Sequence, residues 1–221
     1  MKHQKTALVF DIDGTLLDSE GIDGTLFVQA VKDELGDIRF ADDWTSYTNV
    51  TDVGILSELL ESNGREPHPE VIDRVRERFR QLLNAFLVDG GSCPPIAGVP
   101  AFLHRIGTLP GISIGIATGG WGVTARMKLA AAKIDINGIP LSSSEDRDDR
   151  TRIMEHCLAN MKGPFNRTVY IGDGIWDRDA SISLGWHFIG IGKKLQGKCP
   201  LWFKDFTDID SLLSAILPGA M

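Results

Sequence analysis

The chain has 221 residues, of which 43% are hydrophobic and 24% charged, which suits one globular domain or one domain with an insertion. Lys plus Arg total 23 and Asp plus Glu total 30, and the formal net charge of −7 argues against a general nucleic-acid-binding protein. The N-terminal apolar run is too short for a secretory signal, and no stretch is typical of a lipid-spanning helix. We therefore expect a cytoplasmic protein with no membrane partner and no nucleic-acid partner.

Short apolar runs rich in Ile and Val predict buried strands at 7–10, 114–117, 169–172 and 188–192. Helical patterns at about 98–108, 121–133, 151–162 and 177–184 alternate with the later runs. This alternation predicts an α/β protein with a Rossmann-like parallel sheet and helices on both faces. Ligands bind at the carboxyl ends of such strands. The polar residues expected at that edge are Asp11, Asp13, Thr118, Asp173 and Asp177.

The segment 18–95 has a different pattern, with no convincing strand. Apolar residues between 71 and 87 recur every three or four positions, the period of an amphipathic helix, and further helices are expected at about 20–35 and 50–62. Gly36, Gly64 and Gly90 are plausible helix stops. We therefore predict an α/β core made of residues 1–17 and 96–221, interrupted by an all-helical domain at 18–95.

A local repeat lies at the start of this helical segment. Residues 12–16, Ile-Asp-Gly-Thr-Leu, recur at 22–26, but the second copy has no strand before it to hold its carboxylate rigidly. We interpret the second copy, which includes Asp23, as a helix start without a chemical role.

Asp11 and Asp13 follow the first predicted strand. Alternate side chains at a strand end point to one side, so both carboxylates can face one pocket, where two like charges require a cation or a proton between them. Mg²⁺ suits oxygen ligands of this kind, and Asp173 from a neighbouring strand can add another. The five histidines have no metal-ligand spacing.

Four segments in this order resemble the haloacid dehalogenase-like hydrolase superfamily, whose members are mostly phosphatases and phosphotransferases. They are Asp11-Ile12-Asp13-Gly14-Thr15-Leu16 after an apolar strand, the apolar strand ending in Thr118, a basic residue within 147–152 before a helix, and Ile171-Gly172-Asp173-Gly174-Ile175-Trp176-Asp177. The resemblance covers almost the whole chain, and it implies that the helical segment 18–95 is a cap domain.

The resemblance also implies the roles of the site residues. Asp11 is expected to attack phosphorus and form an aspartyl-phosphate, with Asp13 as general acid and then base. Thr118 and the N–H groups of Gly119 or Gly120 are expected to bind the phosphoryl group. The implied cofactor is Mg²⁺, with metal residues Asp11, Asp13 (through its backbone carbonyl), Asp173 and Asp177, the last through a water molecule or the basic residue.

The third segment departs from the family pattern, because many relatives have Lys followed by Pro there and this chain has neither. Arg147, Arg150 and Arg152 are the available cations. We favour Arg150 because it lies at the predicted helix start, where its guanidinium can steady the phosphoryl charge. A solvated loop is the alternative.

Substrate selection is expected in the cap, which closes over the site in enzymes of this kind. The segment 44–52 joins Trp and Tyr to hydroxyl groups and an Asp, and we select Thr51 and Asp52 as substrate-binding residues. Trp121 is a further candidate for the pocket wall, as is Trp176. Lys194 is interpreted as a solvated loop charge.

The leading hypothesis is an Mg²⁺-dependent phosphatase for a small phosphorylated metabolite, acting as a monomer or homodimer. A phosphomutase or phosphotransferase stays open, and so does a haloacid dehalogenase, although the acid Asp13 favours a phosphate ester because a halide needs no proton on leaving. A phosphonate-cleaving enzyme is weakly supported, since Lys32 is the only lysine in 18–95 for a Schiff base. A non-catalytic binding protein is the alternative outside enzymes.

Overall fold

A computed structural model of the chain describes residues 5–217. The strands in this part are β1 (Thr6–Phe10), β2 (Ile112–Ala117), β3 (Leu141–Ser142), β4 (Arg167–Gly172), β5 (His187–Ile191) and β6 (Trp202–Phe203). The α-helices are α1 (Glu20–Leu35), α2 (Asp52–Ser62), α3 (Pro69–Val88), α4 (Val99–Gly107), α5 (Gly122–Ala131), α6 (Arg150–Asn160), α7 (Ile175–Ser183) and α8 (Ile209–Ile216). Two short 3₁₀ helices lie at Trp44–Ser46 and Lys193–Leu195.

The six strands form one parallel sheet in the order β3-β2-β1-β4-β5-β6. Phe10, the last residue of β1, lies opposite Ile116 of β2 and Ile171 of β4, so these three strands end at the same edge. Every residue of β1 is buried, as expected for a central strand covered on both faces. The predicted α/β fold with a Rossmann-like parallel sheet is confirmed.

The predicted strands and helices of the α/β part are present, with ends that differ by a few residues. The prediction omitted β3, β6 and α8. The two omitted strands have two residues each and lie at the sheet edges. A two-residue strand is too short to show the alternation or apolar run on which strand prediction depends.

The segment between β1 and α4 contains α1, α2 and α3, and the structure describes no strand there. Helix α3 buries Val75, Phe79 and Leu83, which are spaced four residues apart, while charged residues cover its other side. These helices share a hydrophobic cluster that also includes Trp121, the residue before α5. The division at 18–95 stays a prediction.

Helix α1 ends where predicted. Gly36 is its C-cap residue and has φ 71°, a conformation that favours glycine. Gly64 and Gly90 also have positive φ and directly follow the C-cap residues of α2 and α3. Within residues 5–217, no helix has the length and apolar character needed to cross a membrane.

Candidate active site

A cavity of about 640 Å³ opens at the carboxyl edge of the sheet. Asp11 and Asp13 reach it from the end of β1, Thr118 from the end of β2, and Asp173 from the end of β4. Arg150, the first residue of α6, also lines it. The strand order brings these residues together although they are separated by up to 162 positions along the chain.

Asp11 and Asp173, which line the cavity, lie next to the fully buried carboxylate of Asp177, and we call these three residues the acidic triad. Each offers one oxygen that lies within 4.8 Å of the other two. The Oδ2 atom of Asp177 accepts a hydrogen bond of 3.0 Å from the Gly174 amide, whereas its Oδ1 atom is buried and has no hydrogen-bond partner in the described chain. Such an arrangement offers oxygen ligands to a hard cation.

Arg150 supplies the positive charge beside the acidic triad. Its Nη1 lies 3.2 Å from Asp11 Oδ1 and 3.3 Å from Asp177 Oδ1. Arg147 and Arg152 are exposed instead, and Arg152 lies 3.9 Å from the carboxylate of Asp148. Of the three arginines considered, Arg150 is therefore the one in contact with the acidic triad.

Two glycines leave the space that these charged side chains occupy. A Cβ atom on Gly119 would lie 2.6 Å from Arg150 Nη2, so any larger residue would displace the guanidinium. Gly14 has φ +83°, and a Cβ atom there would overlap Asp173 Oδ2. Close approach, together with the backbone conformation at Gly14, thus requires glycine at both positions.

Burial dominates the electrostatics of the acidic triad. Burial, and next the charge of Asp177, raise the pKa of Asp173 to about 7. Burial also raises the pKa of Asp11, and the neighbouring Asp177 carboxylate adds to this effect while Arg150 opposes it. One arginine therefore does not balance three buried carboxylates, and their full ionisation requires another cation.

Lys128 in α5 is a site residue that the sequence analysis missed. Its Nζ lies 2.6 Å and 2.7 Å from the two carboxylate oxygens of Asp13 and also contacts Asp23 Oδ1. The Lys128 side chain is 1% exposed. Ser19 Oγ donates a further hydrogen bond of 2.5 Å to Asp13 Oδ1. The second copy of the repeat is a helix start as predicted, but its Asp23 reaches the site.

Asp52 lies beside this ion pair, and we call Asp13, Asp23, Asp52 and Lys128 the lysine cluster. Asp52 Oδ2 accepts a hydrogen bond of 2.9 Å from the Trp121 amide. Burial raises the pKa of Asp23 to about 6 and that of Asp52 above its ordinary range, and the charge of Lys128 opposes both shifts. Burial alone lowers the pKa of Lys128, but Asp13 and Asp23 raise it above the usual value.

The position of Lys128 in the sequence gives a weak indication that its side chain is buried and paired. It lies three and four residues after Ala125 and Thr124, which are both buried. A lysine in register with the buried face of a helix requires a partner for its charge. The sequence pattern does not reveal which carboxylates supply it.

The family model of haloacid dehalogenase-like hydrolases matches residues 5–185. The chain belongs to this family. Among solved structures, a hydrolase from Pseudomonas syringae has 22% sequence identity and a TM-score of 0.76, with 96% of this chain and 99% of that chain covered. Among curated proteins, none matches the present chain.

Two further solved structures share the fold of the hydrolase. CbbY from Rhodobacter sphaeroides in complex with phosphate has 18% identity and a TM-score of 0.69, covering 92% of this chain and 95% of that chain. The β-phosphoglucomutase from Clostridium difficile has 14% identity and a TM-score of 0.73, covering 95% and 96%. At these identities the likeness concerns the fold alone.

Thr118, Gly119 and Gly120 line the cavity of the hydrolase next to Asp11. Thr118 is buried, and its Oγ1 accepts a hydrogen bond of 3.1 Å from the Gly120 amide, which leaves the hydroxyl hydrogen free to be donated. Thr51 also borders the cavity, but its hydroxyl caps α2 by accepting from the Gly54 amide and donates to Asp148 O. Its hydrogen bonds are those of a structural residue.

The aromatic side chains that line the cavity differ in part from those expected. Trp121 is fully buried and packs on Phe27 and Phe79, with ring centroids 5.7 Å and 5.5 Å away, so its side chain does not line the cavity. We therefore do not retain Trp121 as a substrate contact. Trp176 lines the cavity as expected, and Trp44 lines it as well.

Lys194 is not simply a solvated loop charge. Its side chain is 55% exposed, but Nζ contacts Glu20 Oε2 and lies 3.6 Å from Asp173 Oδ2. The loop charge at this position therefore reaches the edge of the acidic triad.

Proposed function

We propose that this hydrolase is an Mg²⁺-dependent phosphatase that acts on a small phosphorylated metabolite through an aspartyl-phosphate on Asp11. The observation that carries the proposal is the acidic triad beside Arg150, at the carboxyl edge of the sheet. It combines a carboxylate nucleophile, a place for a hard cation and a fixed positive charge.

The chain's own residues fit Mg²⁺. The carboxylates of Asp11 and Asp173 and the backbone carbonyl of Asp13 would hold it, with Asp177 contributing through water or through Arg150. The Oδ1 atom of Asp177, which accepts no hydrogen bond in the described chain, and the raised pKa of Asp173 both favour an additional positive charge here. When bound, Mg²⁺ offsets the negative charge on the phosphoryl oxygens and the carboxylates.

In the first step, a carboxylate oxygen of Asp11 forms a bond to phosphorus while the bond from phosphorus to the leaving oxygen breaks. Arg150 holds Asp11 Oδ1 and thereby orients the carboxylate. Thr118 and the amides of Gly119 and Gly120 donate to the phosphoryl oxygens.

Asp13 moves the protons in both steps. It gives a proton to the leaving oxygen, and it then takes one from the water that attacks phosphorus and releases inorganic phosphate from Asp11. Lys128 and Ser19 hold its carboxylate in place. The presence of Asp13 in the cavity favours an ester substrate over a haloacid, because a departing alkoxide needs a proton.

Residues 18–95 are proposed to form the cap of the enzyme. Segment 50–52 already contacts the core: Arg150 Nη2 donates to Val50 O at 3.0 Å, and the Asp52 amide donates to Gly119 O at 2.8 Å. These bonds join segment 50–52 to Arg150 and to the loop after β2, which supports a cap that excludes water from the reaction.

A phosphomutase is the second candidate, favoured by the fold shared with the β-phosphoglucomutase from Clostridium difficile. Phosphatase chemistry is in turn supported by the fold shared with CbbY, which binds phosphate in its solved structure. Free phosphate as a stoichiometric product separates the two, since a mutase returns the phosphoryl group to its substrate.

The test is phosphate release from a panel of phosphorylated sugars, acids, nucleotides and 4-nitrophenyl phosphate, with Mg²⁺ and with EDTA. We expect metal-dependent release that falls on the order of 10³-fold or more in Asp11→Asn, because the nucleophile is lost. Asp179→Asn, which changes an exposed aspartate of α7, is the matched control and keeps its activity. Equal activity of Asp11→Asn and the control would refute the mechanism.

A further inference from the structure

We propose that the substrate carries one phosphoryl group on an uncharged leaving group with an apolar, ring-like face, and that a second phosphate or a carboxylate is selected against. This inference rests on the proposed phosphatase function and specifies its substrate class. It is carried by the charges and side chains that line the cavity.

The cavity has its positive charge at one end only. Among the described residues that line it, Arg150 is the sole cation, and its guanidinium contacts Asp11 and Asp177 at the phosphoryl end. Lys128 lies behind the wall, where Asp13 and Asp23 use its charge. No lining residue of the described chain is therefore left to pair with a second anionic group.

Further carboxylates line the cavity beside the phosphoryl end. They are Glu20, Asp23 and Asp52, all from the segment 18–95. An anionic leaving group would lose its water, gain no cationic partner and lie beside these acids. Lys194 is close to the cavity, but it contacts Glu20 and lies near Asp173, so its charge is already used.

Apolar side chains also line the cavity. They are Phe27, Val28, Trp44, Val50, Ile55 and Trp176. Trp44 is 37% exposed and meets the ring of Phe27 edge-on with the centroids 5.9 Å apart. A large aromatic surface exposed at a cavity wall favours contact with an apolar or ring-like ligand.

The first experiment measures binding rather than turnover. Benzylphosphonate and 4-carboxybenzylphosphonate differ by one carboxylate, and each is titrated into the Mg²⁺-loaded wild-type protein by calorimetry. We expect the carboxylated ligand to bind at least tenfold more weakly. Equal or tighter binding of the carboxylated ligand, or no binding of benzylphosphonate, would overturn the inference.

The proposed function is tested separately by phosphate release from benzyl phosphate. Binding with the expected preference but without release would refute the phosphatase and leave the charge selection standing. Release that is faster from sugar bisphosphates than from the matching monophosphates would refute the charge selection and leave the phosphatase standing.

Variants of the wall test the cause of the preference. Thr25 is exposed and lines the cavity, so Thr25→Lys adds a cation there and is expected to reduce the preference at least fivefold, while Thr25→Gln, of similar length, does not. Trp44→Ala is expected to weaken benzylphosphonate at least fivefold without changing the binding of inorganic phosphate. An unchanged preference in Thr25→Lys, or an equal loss for both ligands in Trp44→Ala, would contradict the assignment.

Discussion

The acidic triad lies beside Arg150, and the lysine cluster contains Lys128, so each group joins three aspartates to one basic side chain. The two basic side chains pair with their carboxylates differently. Lys128 bonds directly to both oxygens of Asp13 and to Asp23. Arg150 reaches its partners at 3.2 Å and 3.3 Å, and Asp177 Oδ1 keeps no hydrogen bond in the described structure. The ammonium of Lys128 thus bonds to three carboxylate oxygens at once, whereas Arg150 leaves Asp177 Oδ1 without a hydrogen bond.

The number of carboxylates in a group does not by itself identify a metal site. A group of carboxylates needs a metal ion when the chain does not already supply a cation to pair with them. In the lysine cluster, Lys128 bonds directly to Asp13 at the end of β1 and to Asp23 of α1, so these two carboxylates already have a cation. The acidic triad lacks a sufficient one, and we propose that Mg²⁺ completes it.

Removing the lysine should have the largest effect. Lys128→Met leaves buried carboxylates unpaired, and we expect it to lower the free energy of unfolding by about 3–5 kcal/mol. It should also lower kcat for alkyl phosphates about 100-fold, but much less for 4-nitrophenyl phosphate, whose leaving group needs little protonation. Urea unfolding measures the change in stability, and steady-state kinetics with both substrates measure the change in kcat.

Lys162→Met, at an exposed position, is the control for that variant. If Lys128→Met does not fold, Lys128→Met combined with Asp23→Asn removes one of the unpaired charges and allows the same comparison. An equal loss of kcat for both substrates would show that Lys128 does not act through Asp13.

Substitutions in the two groups of aspartates should change the affinity for Mg²⁺ to different extents. Asp173→Asn removes a proposed ligand, and we expect it to raise the Kd for Mg²⁺ at least tenfold. Asp23→Asn should change that Kd less than twofold, because Lys128 already supplies the cation there. Calorimetric titration of both variants with Mg²⁺ is the measurement, and similar losses of affinity would show that both groups of aspartates hold the metal.

The free energy of unfolding should depend on pH through Asp23 of the lysine cluster. The pKa of Asp23 is raised from 3.8 to about 6, so the folded protein binds this proton more tightly than the unfolded chain does. This group therefore lowers the free energy of unfolding by about 3 kcal/mol as the pH rises from about 4 to about 6. Asp23→Asn should remove that slope, as measured by urea unfolding across this range; an unchanged slope would contradict the assignment.

The smallest effect is expected at the surface. Lys194 is 55% exposed, although it contacts Glu20 and approaches Asp173. Exposed ion pairs contribute about 0–1 kcal/mol, so Lys194→Met should change stability by no more than that and kcat less than threefold. A larger fall in kcat would mean that Lys194 belongs to the catalytic machinery.

Much of the fold followed from local patterns. The buried runs at β1, β2, β4 and β5 were recognisable because central parallel strands are apolar on both faces. Asp11, Asp13, Thr118, Asp173 and Asp177 were identifiable because they follow those strands directly or begin the next helix. The edge strands β3 and β6 were missed because two residues contain no period.

The sequence by itself determined the α/β alternation, the family and the carboxylates at the strand ends, since these depend on neighbours along the chain. The tertiary structure alone decided which arginine meets Asp11, that Lys128 joins Asp13 to Asp23, and that Trp44 rather than Trp121 lines the cavity. These depend on how each helix is rotated and packed against the sheet. That rotation is set by contacts between residues far apart in the chain, and no local pattern records it.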